Sequence, residues 1–269
     1  EEPRQHEQAR HPEDHENEMA GLQPEIDHRQ YLLHELRFRV ASIPGFPFAI
    51  CRYLRKMEVY FQDLILHRDE IDVLHERVTS LLEQVIVGMG EAGADGLTFC
   101  EDWGIQDRLL VSPTQWREIF KPLFRRLCGV AHEHGVAVLM HSCGCVWDIL
   151  DDLAEVGVNA FQFDQPALYG IERLADKLQS LGCCLWAPVD IQKVLPTGDR
   201  DYIETEARKM VKLFGGDHGG LIAKNYGDLH GIGVEPEWDQ WAYEAIVEAA
   251  GGSWGQGREG RQGQQAAPA

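Results

Sequence analysis

An imidazole and a thiol two residues apart, His141 and Cys143, close the apolar run Val136-Ala137-Val138-Leu139-Met140. A run of this length, bounded by Gly135 and Gly144, reads as a buried strand. Side chains alternate across a strand, so the two groups point the same way from its C-terminal end. Imidazole nitrogen and thiolate sulfur together suit zinc. Zinc takes three or four ligands, and this segment offers two. The plainer reading is a small buried cysteine beside a hydrogen-bonded histidine.

Polar residues follow other short apolar runs in the same way. Glu101-Asp102 follows Gly96–Cys100, Asp164-Gln165 follows 158–163, Asp190 with Gln192 follows 183–187, and Asn225-Tyr226 follows 220–223. Asp102 has the chemistry to hold substrate, to hydrogen-bond a metal ligand or to exchange a proton. Asp also caps loops and helices. Trp103 suits the wall of an apolar pocket, or core packing under a loop. Gln165 and Asp190 either reach substrate or cap the next helix. Asn225 follows the last strand as a substrate-binding candidate. Tyr226 has a hydroxyl to donate, and His230 can serve as ligand or base.

These residues need a frame that brings strand ends together. The chain alternates strand candidates with helical stretches at 58–90, 112–134, 146–156, 171–180, 200–214 and 236–249. Ser112-Pro113 opens one of these helices, with Ser as N-cap and Pro at the first helical position. The apolar run 46–51 counts as the first strand. Six strand–helix units in alternation mean parallel strands with crossover helices. No Gly-x-Gly-x-x-Gly follows a strand, which disfavours a dinucleotide fold. Polar residues after nearly every strand favour an α/β (β/α)8 barrel of TIM type, whose chemistry sits on one rim. A doubly wound sheet would use only the strand ends near its switch point.

Composition narrows the function further. The 269 residues carry 44 acids against 25 Lys plus Arg, a net charge of −19. A basic nucleic-acid face or attraction to an anionic membrane is not expected. Seven cysteines without framework spacing point to a reducing cytoplasm. Residues 1–28, rich in Glu, His, Arg and Gln, read as a disordered or loose segment. Residues 29–250 are expected to form the barrel domain, and 251–269 a Gly- and Gln-rich flexible tail.

Several motifs stand in a specific order. They are Asp102-Trp103-Gly104, Ser112-Pro113, Trp116-Arg117-Glu118, Phe120-Lys121-Pro122, His132, Gly135, His141-Ser142-Cys143-Gly144 and Gly157-Val158. Over about residues 45–250 the chain resembles the uroporphyrinogen decarboxylase superfamily. Within it, the likeness is to the branch containing corrinoid-dependent methyltransferases. The resemblance implies a (β/α)8 barrel with a deep cleft at the C-terminal rim. It also implies a zinc site in which His141 and Cys143 are the first two ligands, activating a thiol as methyl acceptor. The methyl donor implied is a corrinoid on a partner protein. The family's third ligand, a cysteine, falls near Asn225-Tyr226, where this chain has none. Asp102, Asp228 or His230 are the substitutes in view.

The resemblance places 46–51 on the third barrel strand, 188–192 on the seventh and 219–222 on the eighth. The barrel then reads as truncated or divergent at its first two units, with an exposed edge that residues 29–43 or a second subunit would cover, as in a homodimer. A second reading is metal-independent decarboxylation of uroporphyrinogen or a related carboxylated ring. Asn225-Tyr226-Gly227-Asp228-Leu229-His230-Gly231 loosely echoes the Asn-x-Gly-His-Gly of that activity. A rim poor in cations argues against it, since many carboxylates need cations to meet them. A third reading is a non-catalytic, degenerate barrel.

Overall fold

A computed structural model describes residues 37–216 and 219–251. The expected segment at 1–28 and nearly all of the tail at 251–269 lie outside the described residues. Among these residues six parallel strands alternate with helices in the order of the chain. They are β1 Val40–Ser42, β2 Gly96–Cys100, β3 Ala137–His141, β4 Ala160–Gln162, β5 Cys184–Ala187 and β6 Leu221–Ala223. Each strand pairs with its sequence neighbour, giving the order β1-β2-β3-β4-β5-β6. A doubly wound sheet reverses direction at a switch point; this sheet never does. It winds one way, as the (β/α)8 barrel expectation requires. Among the described residues β1 and β6 each have one strand partner, so the sheet has two open edges.

Among the described residues the α-helices are α1 Pro47–Arg55, α2 Met57–Leu66, α3 Arg68–Glu91, α4 Pro113–Ile119, α5 Lys121–Glu133, α6 Leu150–Glu155, α7 Ile171–Leu181, α8 Arg200–Phe214 and α9 Pro236–Ala249. None of them is long and apolar enough to cross a membrane. The outward side chains of the central strands, Leu97, Phe99, Val138, Met140, Phe161 and Leu185, are all at most 1% exposed. That face packs beneath the helices, and its burial is the main favourable term of the fold.

The stretch 46–51 is not a strand. Phe46 is the N-cap of α1 and Pro47 its first residue, while β1 lies earlier, at Val40–Ser42. A short apolar run cannot separate buried helix from buried strand by periodicity. Here Pro47 pre-sets helical φ at a position that needs no N–H partner. The cap comes from another strand: Glu101, just past β2, accepts the backbone N–H of Ala49 at 3.1 Å. Burial pushes the Glu101 carboxyl up to about 8.

Other boundaries shift for local reasons. Ser112 caps α4 through the N–H of Gln115 at 3.1 Å. The single helix expected over 112–134 is two, α4 and α5, with Pro122 in the first turn of the second. The helix expected over 58–90 is likewise two, joined at His67. Residues 188–192 follow β5 as a loop and turn rather than forming a strand.

Candidate metal centre

Register sets the site. Across the sheet Cys100 pairs with His141, His141 with Gln162, Gln162 with Trp186 and Trp186 with Ile222. Partners in a parallel ladder share a face, so this row lines the concave side. One step beyond it, on the same side, stand Asp102, Cys143, Asp164 and Lys224.

Two loops hold the first pair. The loop after β2 and the loop after β3 are joined by Trp103 N–H to Ser142 Oγ at 3.2 Å and Cys145 N–H to the Ile105 carbonyl at 2.7 Å. Gly104 and Gly144 let the two backbones touch, and a Cβ on either would overlap the other loop. Gly144 also has φ of +70°, a conformation glycine takes without penalty. Tyr169 clamps the turn from beneath, donating to the Gly144 carbonyl at 2.7 Å and accepting from Val146 N–H at 3.3 Å.

Asp102, His141 and Cys143 meet above these loops. One ligand atom from each lies within 4.8 Å of the others. His141 Nε2 is 3.3 Å from Cys143 Sγ and 3.5 Å from Asp102 Oδ1. The backbone N–H of Cys143 donates to Asp102 Oδ1 at 2.9 Å. Arg52, on α1, reaches Asp102 Oδ2 and its carbonyl oxygen, each at 3.4 Å, with its guanidinium 5.2 Å above the Phe48 ring. Burial on the cleft side, and after it the Asp102 charge, push the Cys143 thiol up to about 12. A divalent cation at this point would favour the thiolate over the thiol. A nitrogen, a sulfur and a carboxylate oxygen are all accepted zinc donors. Asp102 thus offers a third donor from the loop after β2, not from the Asn225-Tyr226 position where the resemblance puts the family's cysteine.

Behind the ligands runs a polar chain. His141 Nδ1 meets Gln162 Oε1, Gln162 Nε2 donates to Asp164 Oδ1 at 2.6 Å, and Lys224 Nζ donates to the same oxygen at 3.1 Å. Beside Cys143 opens a cleft of about 90 Å³ lined by Asp164, Gln165, Tyr226, Phe163, Tyr169 and Ile191, among others. Burial and the Asp164 charge raise the Tyr226 phenol. Gln165 also meets Gln106 at 3.4 Å.

The other candidates stand apart from this group. Trp103 is fully buried, stacked on Phe48 at 3.9 Å and edge-on to Trp116 and Phe120, so its ring is core rather than cleft wall. Asp190 is buried too, accepting backbone N–H groups from Gln192, Lys193 and Ala167. It staples a turn, its three hydrogen bonds all going to backbone N–H groups. Asn225 turns outward, donating to Asp239 on α9 beside a separate cavity of about 230 Å³. His230 is exposed on the short turn His230–Ile232, and Asp228 caps that turn through Gly231 N–H.

Sequence reasoning did not single out Arg52, Gln162, Asp164 or Lys224 as site residues. Gln162 and Asp164 carried a usable signal, being two apart and therefore on one face of β4 and its extension. Arg52 carried none, since its reach depends on 46–51 being helical.

Comparison with known proteins fits this geometry. The family model for uroporphyrinogen decarboxylase (URO-D) matches residues 1–251. Among solved structures the chain is similar to a methyltransferase from Methanosarcina mazei, with 20% identity and a TM-score of 0.59. That alignment covers 80% of this chain and 58% of the methyltransferase, so the chain spans under two thirds of its neighbour's length. At this identity the likeness shows the fold. A beta-glucosidase aligns with 12% identity over 65% of this chain and 44% of its own, at a TM-score of 0.24 that carries no argument. No curated protein matches the chain. The match over residues 1–251 and the one-way parallel sheet agree: the chain belongs to the uroporphyrinogen decarboxylase family.

Proposed function

We propose that the chain is a zinc-assisted methyltransferase, moving a methyl group from a corrinoid or another methylated small molecule to a thiol. The observation that carries this reading is the convergence of Asp102, His141 and Cys143 within 4.8 Å at the strand ends. These three side chains would hold the metal. When bound, zinc lowers the pKa of a coordinated thiol and makes it a thiolate nucleophile near neutral pH. In the transfer itself the thiolate, its proton already released to solvent, forms an S–CH3 bond while the donor–CH3 bond breaks and leaves its electron pair on the donor.

The chain's own residues prepare that chemistry. The backbone N–H of Cys143 holds the Asp102 carboxylate beside the Cys143 backbone. Arg52 orients Asp102 from the opposite side. The cleft lined by Tyr226, Gln165 and Asp164 sits directly against Cys143 and suits a small acceptor. Its volume of about 90 Å³ is below the few hundred Å³ usual for drug-sized ligands. A tetrapyrrole with many carboxylates fits poorly, because Arg52 and Lys224 are already paired with Asp102 and Asp164. The corrinoid, carried on a partner protein, and a reducing cytoplasmic setting belong to the same proposal. All seven cysteines are free thiols, which is compatible with that setting.

Metal analysis of the purified protein tests the reading. About one zinc per chain, lost in Cys143→Ser, supports it; metal-free, folded protein that takes up no added zinc refutes it. Incubation of zinc-loaded protein with methylcobalamin and a small thiol then tests the transfer, read as thioether formation.

A further inference from the structure

We infer that Gln162 and Asp164 are positioning residues that fix the tautomer of His141, leaving Nε2 free to bind a metal; the metal role rests on the reading above. The assignment follows from donors and acceptors alone. Lys224 has only protons to give, and its ammonium meets Asp164 Oδ1 at 3.1 Å in an ion pair. The Asp164 carboxylate has only lone pairs to offer. The Gln162 side chain, 2.6 Å from the same oxygen, must therefore present its NH2. That orientation turns the Gln162 carbonyl oxygen to His141. An oxygen cannot donate, so His141 Nδ1 must carry the proton. In the neutral ring Nε2 is then an acceptor, and it is the nitrogen facing Cys143 Sγ and Asp102 Oδ1.

The chain crosses the concave face from β6 to β3, with Lys224 just past β6, Asp164 just past β4, and Gln162 beside His141 in the ladder. Gln162 is 6% exposed, so no competing water orientation is open to most of its amide. In water a neutral imidazole favours the proton on Nε2, the form that cannot bind a metal through that atom. The relay reverses that preference before any metal arrives. A metal-bound histidine held by its second nitrogen is the usual way ring orientation is fixed.

The test is 15N–1H long-range NMR of metal-free protein at mildly alkaline pH. The His141 signals are assigned by their loss in His141→Gln. Wild type is expected to show Nδ1–H. Gln162→Met, close in volume and without the carbonyl, is expected to move the proton to Nε2. Asp164→Asn, which can donate as well as accept, is expected to give a mixture of both forms. Zinc affinity, measured against a chromophoric chelator, is expected to fall about 10–100-fold in Gln162→Met. Nε2–H in the wild type overturns the inference, as does a wild-type pattern in both variants. If the tautomers behave as expected and zinc does not bind, the relay stands and the zinc reading fails.

Discussion

Asp102 accepts the backbone N–H of Cys143 at 2.9 Å, so the loop after β2 carries the loop after β3. The same oxygen lies 3.5 Å from His141 Nε2. One carboxylate thus has two tasks, shaping the loop and offering a ligand atom, and substitutions separate them.

Asp102→Asn retains an acceptor for Cys143 N–H and loses the charge. It is expected to melt within a few degrees of wild type while binding zinc at least about 10-fold more weakly. Asp102→Ala loses both, and because the group is partly exposed the stability cost is about 1 kcal/mol. Thermal melts and chelator competition on both variants check this. Equal zinc affinity in all three proteins would remove Asp102 from the ligand set.

Gly144→Ala tests the contact between loops. The new methyl would meet the Gly104 backbone, which cannot swing away as a flexible side chain can. It would also sit at φ of +70°. The expected cost is at least about 2 kcal/mol, seen as a lowered urea midpoint together with loss of zinc binding. A melt identical to wild type would show that the two loops are not in contact.

His75 gives a pH signature away from the site. It is buried on α3, with Nε2 2.7 Å from the Tyr60 hydroxyl. Burial pushes its pKa down from 6.5 to about 4, outweighing the pull of Asp72 at 3.6 Å, while Arg68 adds to the drop. The folded state therefore resists protonation more than the unfolded chain does. Its contribution is fully present above about 6.5 and is lost as pH falls through about 4. The change amounts to roughly 3 kcal/mol. Urea midpoints across that range are expected to fall more steeply in wild type than in His75→Leu. Parallel curves would contradict the assignment.

Glu101→Ala tests the borrowed cap of α1. It leaves Ala49 N–H without its side-chain acceptor in a closed site. A loss of about 1–3 kcal/mol is expected. Faster amide exchange at the start of α1 would accompany it. Since α1 carries Arg52, the zinc affinity of this variant should also drop, and unchanged exchange there would show that the helix caps itself.

Much of this was legible from residue pattern. The strand at 96–100 and the helices at 200–214 and 236–249 match the observed elements, because Gly, Pro and capping residues mark their ends. The His141 and Cys143 pairing followed from period-two alternation, and Asp102 was in view as a substitute ligand. What stayed hidden depends on distant partners. Residues 46–51 become helix because Pro47 and Glu101 act together. Asp190 and Trp103 follow strands just as Asp102 does, yet backbone donors claim the one and the aromatic core the other. Asn225 turns outward because Asp239 lies on the helix behind it.

The central claim is that one sulfur, one imidazole and one carboxylate share a zinc ion. X-ray absorption at the zinc edge of loaded protein tests it most directly. The account predicts one Zn–S distance near about 2.3 Å with lighter N and O neighbours near about 2.0–2.2 Å, and no sulfur in Cys143→Ser. A shell of oxygen and nitrogen alone in the wild type, or a sulfur signal that survives in Cys143→Ser, would contradict it.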